Sequence, residues 1–84
     1  MKDLSKINFK KMIEEDIILD ISKFPNSVIE KIKELEKLNE IEDWFLYDLK
    51  YEALETDAKG YMISGIISES DFYKIQRKYG GYID

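Results

Sequence analysis

Apolar residues recur at three- and four-residue intervals through most of the chain, the spacing of one face of an α-helix. Phe9, Met12, Ile13, Ile17 and Phe24 follow it and, with Asn8 as a cap, predict a first helix over about 9–23. The run Ile17-Ile18-Leu19-Asp20-Ile21 also reads as a short strand; helix is preferred because a lone strand has no partner elsewhere in the pattern. Pro25 pushes the residue before it out of helical geometry and ends this segment. Asn26 or Ser27 then caps a second helix over about 27–38. Its apolar stripe is Val28, Ile29, Ile32, Leu35 and Leu38, with the charged residues mostly off it.

Asn39 reads as a break and as the cap of a third helix over about 40–63, with Glu42 at the spacing of a capping box. Glu40, Glu42 and Asp43 suit the positive end of that helix's dipole. A fourth helix over about 69–79 is marked by Ser68 with Asp71 three positions on, and by Ile67 and Phe72 at the two positions of a hydrophobic staple. Gly80-Gly81 then supplies a left-handed C-cap. Ser64-Gly65-Ile66-Ile67 is a short turn, so the third and fourth helices are antiparallel or steeply crossed. The expected fold is all-α: one domain over 1–84, four helices packed around the long third one.

That third helix is patterned differently from the others. At 100° per residue its apolar positions fall into two strips rather than one. Trp44, Tyr47, Tyr51, Leu54, Ala58, Tyr61 and Met62 form the first. Phe45, Leu46, Leu49, Ala53 and Ile63 form the second, with Thr56 and Gly60 among them. Asp48, Glu52, Glu55 and Lys59 separate them on one side; Asp43, Lys50 and Asp57 do so on the other. Two strips need two things to bury them. The simplest arrangement sandwiches the helix between the first two helices and the fourth. The alternative leaves one strip, the tyrosine-rich one, partly exposed for a partner or a second copy, since Tyr and Trp suit interfaces.

Composition narrows the function more than the fold. Eighty-four residues make one small domain, and roughly 60% of the surface of such a chain is buried on folding. With no cysteine and no histidine, there is no disulfide framework, no common thiolate metal site and no histidine base. No apolar run approaches a membrane span and the N-terminus lacks the pattern of a signal peptide, so cytoplasmic residence is expected. The net charge of −5 falls wholly between Glu40 and Lys59, where seven acids face Lys50 and Lys59 alone. An acidic surface repels phosphates, which argues against direct nucleic-acid binding and for a basic protein partner.

Candidate chemistry is sparse. Asp16 with Asp20, and Asp48 with Glu52, lie one helical turn apart, as solvated surface acids commonly do. No EF-hand loop, zinc signature or phosphate-cradling loop is present, so no metal and no cofactor is expected. A helix-turn-helix reading would make 69–79 the recognition helix. Lys74, Arg77 and Lys78 sit at its far end, however, and Glu69 and Asp71 at the end that should meet bases.

The run Gly65-Ile66-Ile67-Ser68-Glu69-Ser70-Asp71-Phe72, with Lys74 and Lys78, resembles the C-terminal helical hairpin called SHOCT, over about residues 60–79; the Gly80-Gly81-Tyr82 end departs from it. That family is associated with oligomerisation and accessory interactions, so the resemblance implies a binding role. The whole chain also resembles small Lys/Ile/Glu/Tyr-rich accessory proteins of phages and mobile elements, anti-CRISPR proteins among them, which implies a non-enzymatic inhibitor. The expected function is therefore a non-catalytic protein-binding module, an inhibitor or adaptor whose acidic third helix docks on a basic surface of a nucleic-acid-handling protein. Asp43, Trp44, Tyr47, Asp48, Tyr51, Glu52 and Glu55 are its expected contacts. A self-associating homodimer is the alternative, and a small DNA-binding regulator the third.

Overall fold

The computed structural model describes residues 13–80. Three α-helices form among them: α1 (Asn26–Ile41), α2 (Trp44–Ile63) and α3 (Glu69–Tyr79), preceded by a 3-10 turn at Ile21–Lys23. No strand occurs among the described residues.

The predicted first helix does not form over residues 13–23; its remaining positions, 9–12, lie outside the described residues. Residues 13–20 have no regular structure, and Ile18 is 80% exposed. The competing signal is local. Asp20 accepts hydrogen bonds from the Ser22 backbone N–H (3.1 Å) and the Ser22 hydroxyl (2.6 Å), which hold its carboxyl below the usual carboxylate range and cap a single 3-10 turn. Pro25 then holds Phe24 extended (φ −88°, ψ 160°), so the turn cannot propagate. The segment is fastened instead to the far end of the chain. The Glu14 N–H donates to the Lys78 carbonyl (2.7 Å), and Lys78 Nζ donates to the carbonyls of Glu14 (3.2 Å) and Ile17 (2.7 Å). Lys23 also meets Asp71 at 2.9 Å.

α1 begins at Asn26 with Pro25 in the cap position and no side-chain cap, so neither Asn26 nor Ser27 plays that part. It also runs past the predicted break at Asn39. Its end is a Schellman motif: the Glu42 N–H donates to the Asn39 carbonyl (3.3 Å) and the Asp43 N–H to the Leu38 carbonyl (3.1 Å). Glu42 takes the left-handed conformation (φ 61°) that this motif normally gives to glycine. Asp43, not Asn39, is the cap of α2, accepting from the Leu46 N–H at 3.2 Å. α2 ends in the same motif, with Ile66 N–H to the Tyr61 carbonyl (2.8 Å) and Gly65 N–H to the Met62 carbonyl (3.0 Å). There a glycine occupies the left-handed position, Gly65 at φ 83°.

The start of α3 matches its sequence signals. The Asp71 N–H donates to Ser68 Oγ (3.0 Å), and Ile67 and Phe72 are both buried. Its end does not. Gly80 is right-handed (φ −72°, ψ 2°), and Gly81 lies outside the described residues.

The three helices run up, down and up. Ser27 Oγ donates to Asp57 (2.7 Å), Lys31 pairs with that same carboxylate (3.3 Å), and Glu34 approaches Lys50 (3.5 Å), which fixes α1 antiparallel to α2. Tyr47 Oη donates to the Tyr79 carbonyl (2.8 Å) and Gln76 Nε2 to Glu55 (2.6 Å), which fixes α3 antiparallel on the other side. Val28, Ile32, Leu35 and Leu38 of α1, Tyr47, Leu54 and Ala58 of α2, and Phe72, Ile75 and Tyr79 of α3 form the core.

Replacing Asp43 by Ala removes the α2 cap and should lower stability by about 1 kcal/mol. Glu42→Gly should raise it by up to about 1 kcal/mol by relieving the left-handed strain. Urea unfolding monitored by circular dichroism, with an unchanged denaturant slope, checks both.

Candidate protein-binding face on α2

The wheel of α2 resolves into a buried side and an outward side. α1 meets α2 through Lys50, Asp57 and Tyr61, and α3 meets it through Tyr47, Tyr51 and Glu55. On a helix those two sets bound one arc, and the tyrosine-rich strip lies within it. Tyr47, Leu54 and Ala58 are buried, and Trp44, Tyr51, Tyr61 and Met62 pack half-buried around them. The second strip falls on the arc that neither helix reaches. Phe45 is 75% exposed, Leu49 50% and Ile63 74%, with Leu46, Ala53, Thr56 and Gly60 also exposed. Both strips were expected to be buried, or else the tyrosine-rich one to be open. The reverse holds, because α1 and α3 approach from the same half of α2.

The residues expected to contact a partner separate accordingly. Tyr47 is enclosed, its ring edge-on to Trp44 (centroids 6.2 Å apart) and its hydroxyl on the Tyr79 carbonyl, so it anchors the core and not a partner. Trp44 and Tyr51 are half-buried against the same core. Asp43 is the α2 cap and Glu55 is held by Gln76. Asp48 and Glu52 alone of the seven are exposed, at the edge of the apolar strip. The exposed apolar residues of the outward face, Phe45, Leu49 and Ile63, were legible as the second strip but were assigned to the interior.

The outward face is not flat. Lys31, Leu49, Glu52, Ala53, Thr56, Asp57 and Gly60 line a shallow groove along it. Three of its lining residues, Ala53, Thr56 and Gly60, are small, and Phe45 and Ile63 stand exposed on the same face beyond it. Apolar side chains follow at both ends of α2, with Ile41 before it and Ile66 in the turn after it, both exposed. On the rim, Asp48, Glu52 and Lys59 are exposed, and Glu52 and Lys59 form no ion pair among the described residues.

Chemically the face offers apolar contact and charge. The carboxylates of Asp20 and Asp57 are both taken up by hydroxyl hydrogen bonds. No group of three or more His, Cys, Asp or Glu among the described residues is placed to hold a metal ion. No helix among them is long and apolar enough to cross a membrane.

The perturbed phenols lie in or against the core. Burial raises the Tyr47 phenol far above its ordinary value, helped by neighbouring Tyr79. Burial likewise pushes Tyr51 up to about 12, with Glu55 adding to it, and Tyr79 up to about 12, with Glu36 adding to it. An unfolded tyrosine ionises near its ordinary 10.0, so above that pH the unfolded chain has lost protons that the fold still holds. Stability should therefore be full below pH 10 and decline as the pH rises through about 12. Phenolate absorbance followed together with circular dichroism should show these tyrosines ionising only as the helices melt. Tyr47→Phe leaves the Tyr79 carbonyl without its buried donor and should lower stability by about 1–3 kcal/mol in urea.

Compared with known proteins, the chain matches no family model, no curated protein and no solved structure. The SHOCT-like run at 65–72 spans the left-handed turn that ends α2 and the cap and staple that open α3.

Proposed function

We propose that the protein is a non-catalytic protein-interaction module whose docking element is the outward face of α2. The observation that carries this reading is the exposure of Phe45, Leu49 and Ile63 along one face of a helix whose other face is the centre of the core. Small monomeric proteins rarely expose an extended apolar row of this kind, and a row rimmed by charge is the usual anatomy of a contact surface. Such a module acts by occupying or bridging surfaces, as inhibitors and adaptors do. The acidic docking helix expected from the charge pattern stays in this reading with different anchors. Phe45, Leu49 and Ile63 supply the apolar contact, and Asp48 and Glu52 supply charge at its margin, suited to a partner with basic groups beside an apolar strip.

Photo-crosslinking residues introduced singly at Phe45, Leu49 and Ile63 test this in cells that make the full chain. Adducts are expected from all three, and none from Lys33 on the exposed side of α1. Leu49→Glu should abolish the Phe45 and Ile63 adducts while changing stability by no more than about 0.5 kcal/mol, as exposed sites do. Adducts from Lys33 equal to those from Leu49, or no adducts at all, would remove α2 as the docking element.

A further inference from the structure

Resting on that reading, we infer that the partner of the α2 face is a second copy of this chain, docked antiparallel about a two-fold axis near residues 54 and 55. In that arrangement the outward face is complementary to itself in charge, and in size along its middle. When α2 is laid against a reversed copy, Phe45 comes opposite Ile63 of the second copy. Leu49 comes opposite Gly60 of the second copy, and Ala53 opposite Thr56 of the second copy. Leu49 thus meets a glycine, the small Ala53 and Thr56 meet each other, and the bulky Phe45 and Ile63 pack together at the two ends. The six residues span about 27 Å of helix at 1.5 Å per residue.

Gly60 fits this assignment, and no contact among the described residues accounts for it. It lies inside α2, where glycine costs about 1 kcal/mol against alanine. A Cβ added there would find no atom within 4 Å, and its backbone is not in the left-handed region. The chain's own packing therefore does not need a glycine at this point. A neighbouring helix approaching closely over it, with Leu49 of the second copy seated there, does.

Charge makes the same selection. Glu52 and Lys59 sit on one rim of the face, exposed and two turns apart, too far to pair with each other. A two-fold axis perpendicular to an antiparallel pair keeps equivalent rims together. It brings Glu52 beside Lys59 of the second copy and Lys59 beside Glu52 of the second copy. A parallel pair would instead set this rim against the opposite rim of the second copy, where Lys50 and Asp57 are already engaged by α1, and leave Gly60 facing Gly60 across a gap. Lys50 and Asp57 repeat the opposite-sign pattern on the other rim, though both already pair with α1. A contact one helix wide lies at the small end of specific interfaces, so dimerisation should be concentration-dependent.

Sedimentation equilibrium of the full chain, in low salt and from about 10 µM to about 1 mM, tests the inference. A reversible dimer is expected. Glu52→Lys and Lys59→Glu should each weaken it about tenfold, because each turns two symmetric attractions into repulsions. An equimolar mixture of the two variants should recover the dimer, as a heterodimer with both rims complementary again. Gly60→Leu, at an open site, should leave the helical signal of the monomer intact and weaken association at least as much. A chain that stays monomeric throughout, single variants that dimerise like the parent, or a mixture that fails to recover would overturn the second copy as partner. The docking face fails separately. A monomeric chain whose Leu49 position still cross-links to a different protein keeps the face and loses the homodimer, whereas no adduct of any mass removes both.

Discussion

The architecture depends on one constraint: α2 has two apolar strips, and both of its helical neighbours lie on the same half of it. α1 is held to one edge by Ser27, Lys31 and Glu34, and α3 to the other by Gln76 and the Tyr79 carbonyl. Those polar contacts sit at the margins and set how far each helix can swing around α2. Between them the interior closes over Tyr47, Leu54 and Ala58, leaving the opposite arc with no covering element among the described residues. The exposed face is thus a result of packing geometry rather than of an amphipathic pattern; α2 is the least amphipathic helix of the three.

The same constraint explains the tyrosines. A small core has little room for polar atoms, yet Tyr47 and Tyr79 are among its largest enclosed side chains. Tyr47 is tolerated because its hydroxyl reaches a carbonyl at the end of α3 that has no helical donor of its own. Tyr61 points its hydroxyl toward Ser27 (3.3 Å) at the α1 margin. The aromatic bodies fill the interior, and their tips tie the ends of the neighbouring helices. No buried side-chain polar atom among the described residues lacks a partner.

Much of this was legible in the sequence where one local signal acted without competition. Ser68 with Asp71, and Ile67 with Phe72, mark the start of α3 because a cap and a staple involve only neighbours in the chain. The stripe of α1 was equally plain. Where two signals competed, periodicity misled. Ile13, Ile17 and Phe24 keep helical spacing, but Asp20 and Pro25 impose a shorter turn between them. The join between α1 and α2 was misplaced because its left-handed residue is Glu42, which carries none of the marks of a helix stop. The choice between the two strips of α2 was not legible at all. Each is apolar and each is continuous, and only the positions of α1 and α3 distinguish inside from outside. Tyr47 accordingly moved from expected partner contact to core, while Phe45, Leu49 and Ile63 moved from the expected interior to the surface.

The bonds between Lys78 and the segment at Glu14 and Ile17 have a consequence for how the molecule loosens. They join positions more than sixty apart in sequence, and they include both the side chain and the main chain of one residue in the last turn of α3. α3 cannot lift from α2 without releasing the segment, because the segment has no regular structure of its own to hold it. The two ends of the described chain therefore form one unit of local opening, separate from the α1–α2 hairpin. Closing that unit is also a long-range step. The hairpin is built from near neighbours and can form early, and the strap that completes the fold can close only after the whole chain has been brought round to meet its beginning.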